Sequence, residues 1–374
     1  MDIHPKNLVI DASNIRSGGG LTHLREILNE SVIQEVLFTK VFVFAPSQTL
    51  VMLPKSNKIE YKPVSFDNLG YLGIFFWQMF VLGAFAKKNN ALLYIPGTGW
   101  NWYPYVTMFR NLLPFQKNET DRYFLSKAWI RLKVLKMVQL FSFKNAKGII
   151  CLNQFCKDVL HYDYGLENSK LQVISHGLSD AFISKRLYDR KEGELKILYV
   201  SIVDEYKHQW NIVEVINKLR ENGTNISLTL VGPAYPPSLV KLEKSLKYSD
   251  EKIKYLGKID YSNLSKIYED TDLFLFASTC ETYGMVVTEA MGAGIPVLCS
   301  KYSSMPSNFL DSVEYFDPMN AENTEDKILE FYHDVEKCIY YSEKSKNFAA
   351  TKKWTLCGKE TFKYLYKIQE VCVE

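Results

Sequence analysis

Two glutamates, a lysine and a run of glycines are the residues of this 374-residue chain best suited by type and spacing to do chemistry. The segment Ser278-Thr-Cys-Glu281-Thr-Tyr283-Gly284-Met285-Val286-Val-Thr-Glu289-Ala-Met-Gly292-Ala-Gly294-Ile-Pro296-Val reads as a strand end, a turn, a helix and the start of another strand. Glycine in the turn lets the backbone approach a ligand closely. A helix opening near Val286 offers unpaired N–H groups and a positive dipole end, which suit a diphosphate. Glu281 falls in the loop at the strand's carboxyl end. Glu289 is expected in the first helical turn, where a carboxylate can accept two hydrogen bonds from a ribose diol. The structural alternative is that Glu289 complements the helix dipole, worth about 0.3–1 kcal/mol, while Glu281 is merely solvated.

Lys207 lies in Val200-Ser201-Ile202-Val-Asp-Glu-Tyr-Lys207-His-Gln, the loop after another strand. From there its charge can reach the same place and stabilise a leaving diphosphate, a role worth roughly 3–4 kcal/mol. A surface lysine is the commoner fate of this residue. Gly18, Gly19 and Gly20, between the first strand and first helix, can turn backbone N–H groups toward an anion, although three adjacent glycines lack dinucleotide-site spacing and a flexible turn reads equally well. The run from Tyr94 to Tyr105 places four aromatics in a loop, where ring faces suit sugar stacking or a local core. Trp100, Trp102 and Thr98 are its acceptor-side candidates. Residues 117–147 carry eight basic and two acidic side chains with Trp129, Ile130, Leu132, Val134, Leu135 and Val138 interleaved. That pattern reads as a membrane-surface helix or a solvated one.

The elements that must position these residues alternate short apolar runs with longer helical patterns, the signature of βα units feeding parallel sheets. Expected strands in the first half are Leu8–Asp11, Val41–Ala45, Leu92–Ile95 and Gly148–Leu152, with helices over Leu21–Val36, within 69–86 and over 120–141. A second series has strands Lys196–Val200, Ser227–Val231, Ile253–Leu256, Leu273–Ala277 and Pro296–Cys299, with helices Gln209–Arg220 and Val286–Ala293. The charged stretch Lys185–Glu194 reads as a linker. The expected organisation is an acceptor-side Rossmann-like domain over 1–184, a donor-side one over 185–349, and a terminal helix within 350–374 that returns to the first. Ligands of doubly wound sheets gather at the carboxyl ends of strands, so a cleft between the two is where chemistry is expected.

Composition narrows the function classes. Lysine plus arginine exceeds aspartate plus glutamate by three, too small a surplus for the basic field of a nucleic-acid binder. Seven scattered cysteines suit a reducing, cytoplasmic compartment, and no signal peptide is read at the N-terminus. Leu69–Ala86 is uncharged and reaches the lower limit for a membrane span, but it contains Gln78 and would separate the first strand from Leu92–Ile95, so a buried or interfacial helix is expected. Asp270-Thr-Asp272 imitates a metal-binding pair yet abuts a strand start. The six histidines show no pair at metal-ligand spacing, and no metal is expected.

The frame E-T-Y-G-x-x-x-x-E-A-M-x-x-G-x-P-V, with seven residues between Glu281 and Glu289, resembles the donor-site signature of family-4 retaining glycosyltransferases, and the likeness runs along most of the chain. The resemblance implies an α/β GT-B fold, two doubly wound parallel-sheet domains facing across a cleft. It assigns the ribose hydroxyls to Glu289, the donor sugar to Glu281, and donor contacts to Ser201, Tyr283, Gly284, Met285 and Val286. It implies a glycine-rich loop facing the donor phosphates, as at Gly18–Gly20, and a metal-independent reaction using a nucleotide sugar without a separate cofactor. Asn111-Leu-Leu-Pro114-Phe115 resembles members that elongate surface polysaccharides, so the implied acceptor is a glycan or lipid-linked glycan, with peripheral membrane contact through 117–147. Many members place Gly-Arg where this chain has Ser201-Ile202, so part of the usual phosphate clamp is missing. A nucleotide-sugar epimerase or a non-catalytic glycan-binding protein of the same fold would share the motif.

Overall fold

The computed structural model describes residues 6–64, 70–184, 188–190 and 193–372. The chain divides into two compact units: residues 1–114, 130–177 and 353–374 form the first, and 115–129 with 178–352 form the second.

The first unit is built on seven parallel strands: β1 (Asn7–Asp11), β2 (Lys40–Ala45), β3 (Ile59–Pro63), β4 (Ala91–Ile95), β5 (Tyr105–Phe109), β6 (Gly148–Cys151) and β7 (Leu171–Val173). Their order is β3-β2-β1-β4-β5-β6-β7, so the winding reverses between β1 and β4. β4 and β5 are buried along their whole lengths, as strands covered on both faces must be. β3 and β7 escape a reading by apolar runs for a physical reason. Both are edge strands with one well-buried residue, and polar side chains interrupt the rest. β5 was hidden because Tyr105 looks like the end of an aromatic loop; its ring is fully buried and its hydroxyl donates to Ser142 O at 2.6 Å.

The expected helix over 21–36 is two pieces, Gly18–Ile27 and Glu30–Ile33, divided at Asn29, whose side chain accepts from Ser31 N at 3.2 Å and caps the second. Gly18, Gly19 and Gly20 are thus the opening of the helix rather than a loop before it. Residues 70–88 are helical throughout, with a π-helical stretch at Trp77–Leu82. This helix buries Trp77, Gln78, Leu82 and Ala86. Gln78 is the reason it packs as a globular helix: its amide donates to Asp11 Oδ2 at 2.6 Å and accepts from Trp100 N at 3.2 Å. β1 pairs directly with β4, which a span at 69–86 would forbid. Leu69 itself lies outside the described residues. Among those described, no helix is long and apolar enough to cross a membrane. The Trp354–Cys372 helix packs within this unit, with Phe362 edge-on to Phe38 and Gly358 so close to Val32 that a Cβ would fall 2.7 Å from its methyl.

The second unit holds β8 (Leu195–Val200), β9 (Ile226–Val231), β10 (Ile253–Tyr255), β11 (Leu273–Phe276), β12 (Val297–Ser300) and β13 (Glu314–Phe316). The sheet is parallel in the order β10-β9-β8-β11-β12-β13, reversing between β8 and β11. β13 is a three-residue edge strand, too short to declare itself. Residues 115–129 join this unit rather than continuing one helix to 147. Lys117–Asp121 is a separate helix, and Tyr123 donates to Asp204 Oδ1 at 2.7 Å. Of the stretch read as a linker, residues 185–187 and 191–192 lie outside the described residues. The part between is packed, with Tyr188 donating to Asp272 O at 2.7 Å and Arg190 to Phe331 O at 2.6 Å.

Candidate active site

The winding reversal between β8 and β11 opens a crevice at the carboxyl edge of the second sheet, the place where such sheets receive ligands. Lys207 and Glu281 come from the loops after these two strands. β8 leads through Ser201 and Ile202 into a short turn at Glu205–Lys207, and His208 then takes a left-handed conformation to start the Gln209–Glu221 helix. Tyr199 fixes the turn from below, its hydroxyl donating to Lys207 O at 2.5 Å. After β11, Thr279 N donates to Tyr206 O at 2.9 Å, tying the two loops together. His208 Nε2 lies 3.0 Å from Thr279 Oγ1, and burial holds its imidazole down to about 3, with Arg122, Lys207 and Lys241 pushing the same way.

The Lys207 ammonium forms an ion pair with Glu281 and lies 4.8 Å over the Phe276 ring. Its side chain is 7% exposed and that of Glu281 16%. An ion pair so far out of water requires its geometry to be enforced. Ser303 does this for Glu281, accepting from its N–H at 3.0 Å and donating to its carbonyl at 2.9 Å.

Gly284 caps the Met285–Gly292 helix in a left-handed conformation, φ 86°, that favours glycine, and a Cβ there would meet Met305 at 3.1 Å. Asn308 holds the turn by donating to Tyr283 O at 2.6 Å. Met285 and Val286 are half-buried at the helix opening, whereas Tyr283 is buried. Glu289 stands one residue further into the helix than expected. It is the fifth helical residue, buried, and Tyr268 Oη lies 3.4 Å from its Oε2. The fifth helical position lies just beyond the first turn, where the helix dipole acts most strongly.

Ser201 and Ile202 are anchored by Gln209, whose amide donates to Ser201 Oγ at 2.9 Å and Ile202 O at 2.8 Å. The Ile202 side chain is partly exposed. Gly232 carries a requirement that sequence reasoning missed: its φ is 143°, and a Cβ would sit 1.9 Å from Ser201 O. Asp270 and Asp272 lie at the opposite edge, where Asp270 pairs with Lys196 at 2.5 Å and Asp272 accepts from Lys196 N at 2.9 Å.

The first unit has its own reversal, between β1 and β4. Gly20 is there approached by Arg110, whose Nη1 would lie 2.6 Å from an added Cβ. Arg110, just beyond β5, was not singled out from the sequence because nothing local marks it. Trp100 stacks on Phe141 at 5.2 Å, Trp102 donates from its indole to Met79 O at 3.2 Å, and Thr98 is half-buried. The histidines are less dispersed than their spacing implies. His23 and His176, far apart in sequence, bring their rings to 4.9 Å, with Cys357 completing the one metal-type group found among the described residues. Burial keeps His176 at about 3, and Arg110 lowers both imidazoles further. A guanidinium this near also opposes a second cation.

Residues 182–348 match the family model described as glycosyl transferases group 1. Over 206 residues the chain is 23% identical to O-antigen chain mannosyltransferase RfbU of Salmonella typhimurium, covering 55% of each protein. It is 32% identical over 82 residues to O-antigen chain mannosyltransferase B of Escherichia coli, 22% of each. The matched segments span about half or less of the first curated relatives, 52%, 31% and 22% of their lengths. The fold extends further. Anabaena Alr3699/HepE, crystallised with UDP and glucose, superposes with a TM-score of 0.70 at 16% identity, over 97% of this chain and all of that one. The chain therefore has the GT-B fold and carries a glycosyl transferases group 1 domain, as the Glu281–Glu289 frame had suggested.

Proposed function

We propose that the chain is a retaining glycosyltransferase that takes a sugar from a nucleotide diphosphate donor held by the second unit and passes it to a hydroxyl of a growing glycan. The observation that carries this reading is the meeting of Lys207 and Glu281 at the two strand ends flanking the reversal, within the residues matched to the group 1 domain. Glu289 accepts hydrogen bonds from the ribose diol. The N–H groups from Tyr283 to Val286, with the loop at Ser201, receive the diphosphate. Glu281 faces the donor sugar. The bond between the anomeric carbon and the diphosphate oxygen breaks, the acceptor oxygen bonds to that carbon on the same face, and the acceptor proton passes to the departing phosphate.

Lys207 and the helix N–H groups offset the charge that develops, so the scheme needs no metal and no separate cofactor. With Ile202 in place of a cation, Lys207 takes the larger share. The O-antigen mannosyltransferases among its relatives support a glycan acceptor; its lipid-linked form at the inner membrane surface is part of the proposal alone. Incubating the protein with nucleotide sugars and glycan acceptors, and reading product configuration by NMR, tests the scheme. Transfer with retained configuration is expected. Inverted product would end the retaining mechanism, and altered sugar nucleotide formed without acceptor would favour an epimerase. Donor binding without turnover would favour a binding protein.

A further inference from the structure

The Lys127–Asn145 helix shows solvent an apolar stripe. Ile130, Val134, Met137 and Phe141 recur at spacings of four and three, which align along one helix face. All four are exposed, Met137 by 67%, whereas Leu132, expected on the apolar face, is buried inward. Arg131 flanks the stripe at one end and Lys144 and Lys147 at the other, all exposed. Residues 70–88 repeat the arrangement. Leu72, Phe76 and Phe80 are exposed at intervals of four, followed by exposed Lys87 and Lys88.

A chain of rings joins the two stripes. Phe80 stacks on Phe76 at 5.9 Å, Phe76 meets Phe75 at 5.8 Å, Phe75 meets Trp100 at 5.3 Å, and Trp100 stacks on Phe141 at 5.2 Å. No carboxylate occurs in the sequence between Asp67 and Glu119, nor between Asp121 and Asp158. The segments that carry the two stripes thus contribute cations and no anions of their own.

We propose that this joined surface of the first unit is a docking face for an anionic lipid bilayer, with both stripes lying in the interface and the flanking lysines and arginines on the headgroups. Charge selects this occupant. An apolar patch for a second copy of the chain would bring the same cations together, whereas anionic headgroups neutralise them, each Lys or Arg near such a surface contributing about fivefold. The face extends the contact expected for residues 117–147 to a second helix, and its test is independent of the donor-site reading.

The full-length protein is mixed with vesicles of phosphatidylglycerol and phosphatidylcholine, or of phosphatidylcholine alone, and sedimented. Binding to the anionic vesicles alone is expected, together with a blue shift of tryptophan emission as Trp102, 76% exposed, enters the interface. Phe80→Ser with Met137→Ser should weaken partitioning by about tenfold or more, and Arg131→Glu with Lys144→Glu similarly. Donor binding, measured in parallel, should stay at the wild-type value in both variants. Equal binding to neutral vesicles, absence of binding, or binding untouched by either pair would overturn the proposal. So would a dimer in sedimentation velocity that Phe80→Ser with Met137→Ser dissolves.

Discussion

Lys207 and Glu281, 74 positions apart, form an ion pair because β8 and β11 are neighbours across the reversal of their sheet. Each comes from the first loop beyond its strand, so the pair is fixed by topology more than by either local sequence. Removing the cation should expose its role. Lys207→Ala is expected to lower turnover by about 10²–10³, the usual cost of losing one donor to a developing anion. The same change strands a largely buried carboxylate, so Glu281→Gln in the Lys207→Ala background separates the effects. It should restore thermal stability without restoring turnover. Steady-state kinetics and melting curves check both.

Buried imidazoles give the protein a pH dependence. His176 in the first unit and His208 in the second are held at about 3 by burial, whereas an unfolded histidine titrates near about 6.5. Between those values the unfolded chain binds protons that the native chain refuses. Their contribution is thus present above about pH 6.5 and is lost as pH falls. Urea denaturation from pH 7 to pH 4 should show this decline. His208→Gln should reduce its slope by up to about 1.4 kcal/mol per pH unit, and an unchanged slope would show that His208 is protonated in the native state.

Gly232 should tolerate no side chain. Its φ of 143° is rare for L residues, and an added Cβ would press into Ser201 O, a backbone atom that leads to Lys207. Gly232→Ala is expected to cost at least about 1–3 kcal/mol of stability and to weaken donor binding with it. Gly223→Ala, strained in φ but open in space, is the control: it should destabilise without moving the donor affinity.

Much of this was legible in the sequence because the site is encoded in loops that follow strongly apolar strands. β8, β11 and β12 declare themselves as apolar runs, and Glu281, Gly284 and Glu289 then fall at fixed offsets from a strand end. What stayed hidden depended on partners distant in sequence. Nothing around Glu289 announces that Tyr268 meets it, and nothing around Gly20 announces Arg110. His23, His176 and Cys357 converge only because three separate segments fold together. The outward stripe of the Lys127–Asn145 helix was only half legible, with Ile130 and Val134 grouped together with the inward Leu132, for a different reason. Apolar residues on both faces cancel the periodic signal, so the inward and outward sides look alike until packing separates them.

Glu289 is where the donor-site account is most exposed to test. Isothermal titration of a panel of nucleotide diphosphate sugars against the wild type and Glu289→Ala, with melting curves to confirm folding, addresses it directly. At least one donor should bind the wild type, and the variant should bind it more weakly by about 1–3 kcal/mol, roughly 5- to 150-fold. An unaltered dissociation constant in a folded variant would remove Glu289 from the site and contradict the account.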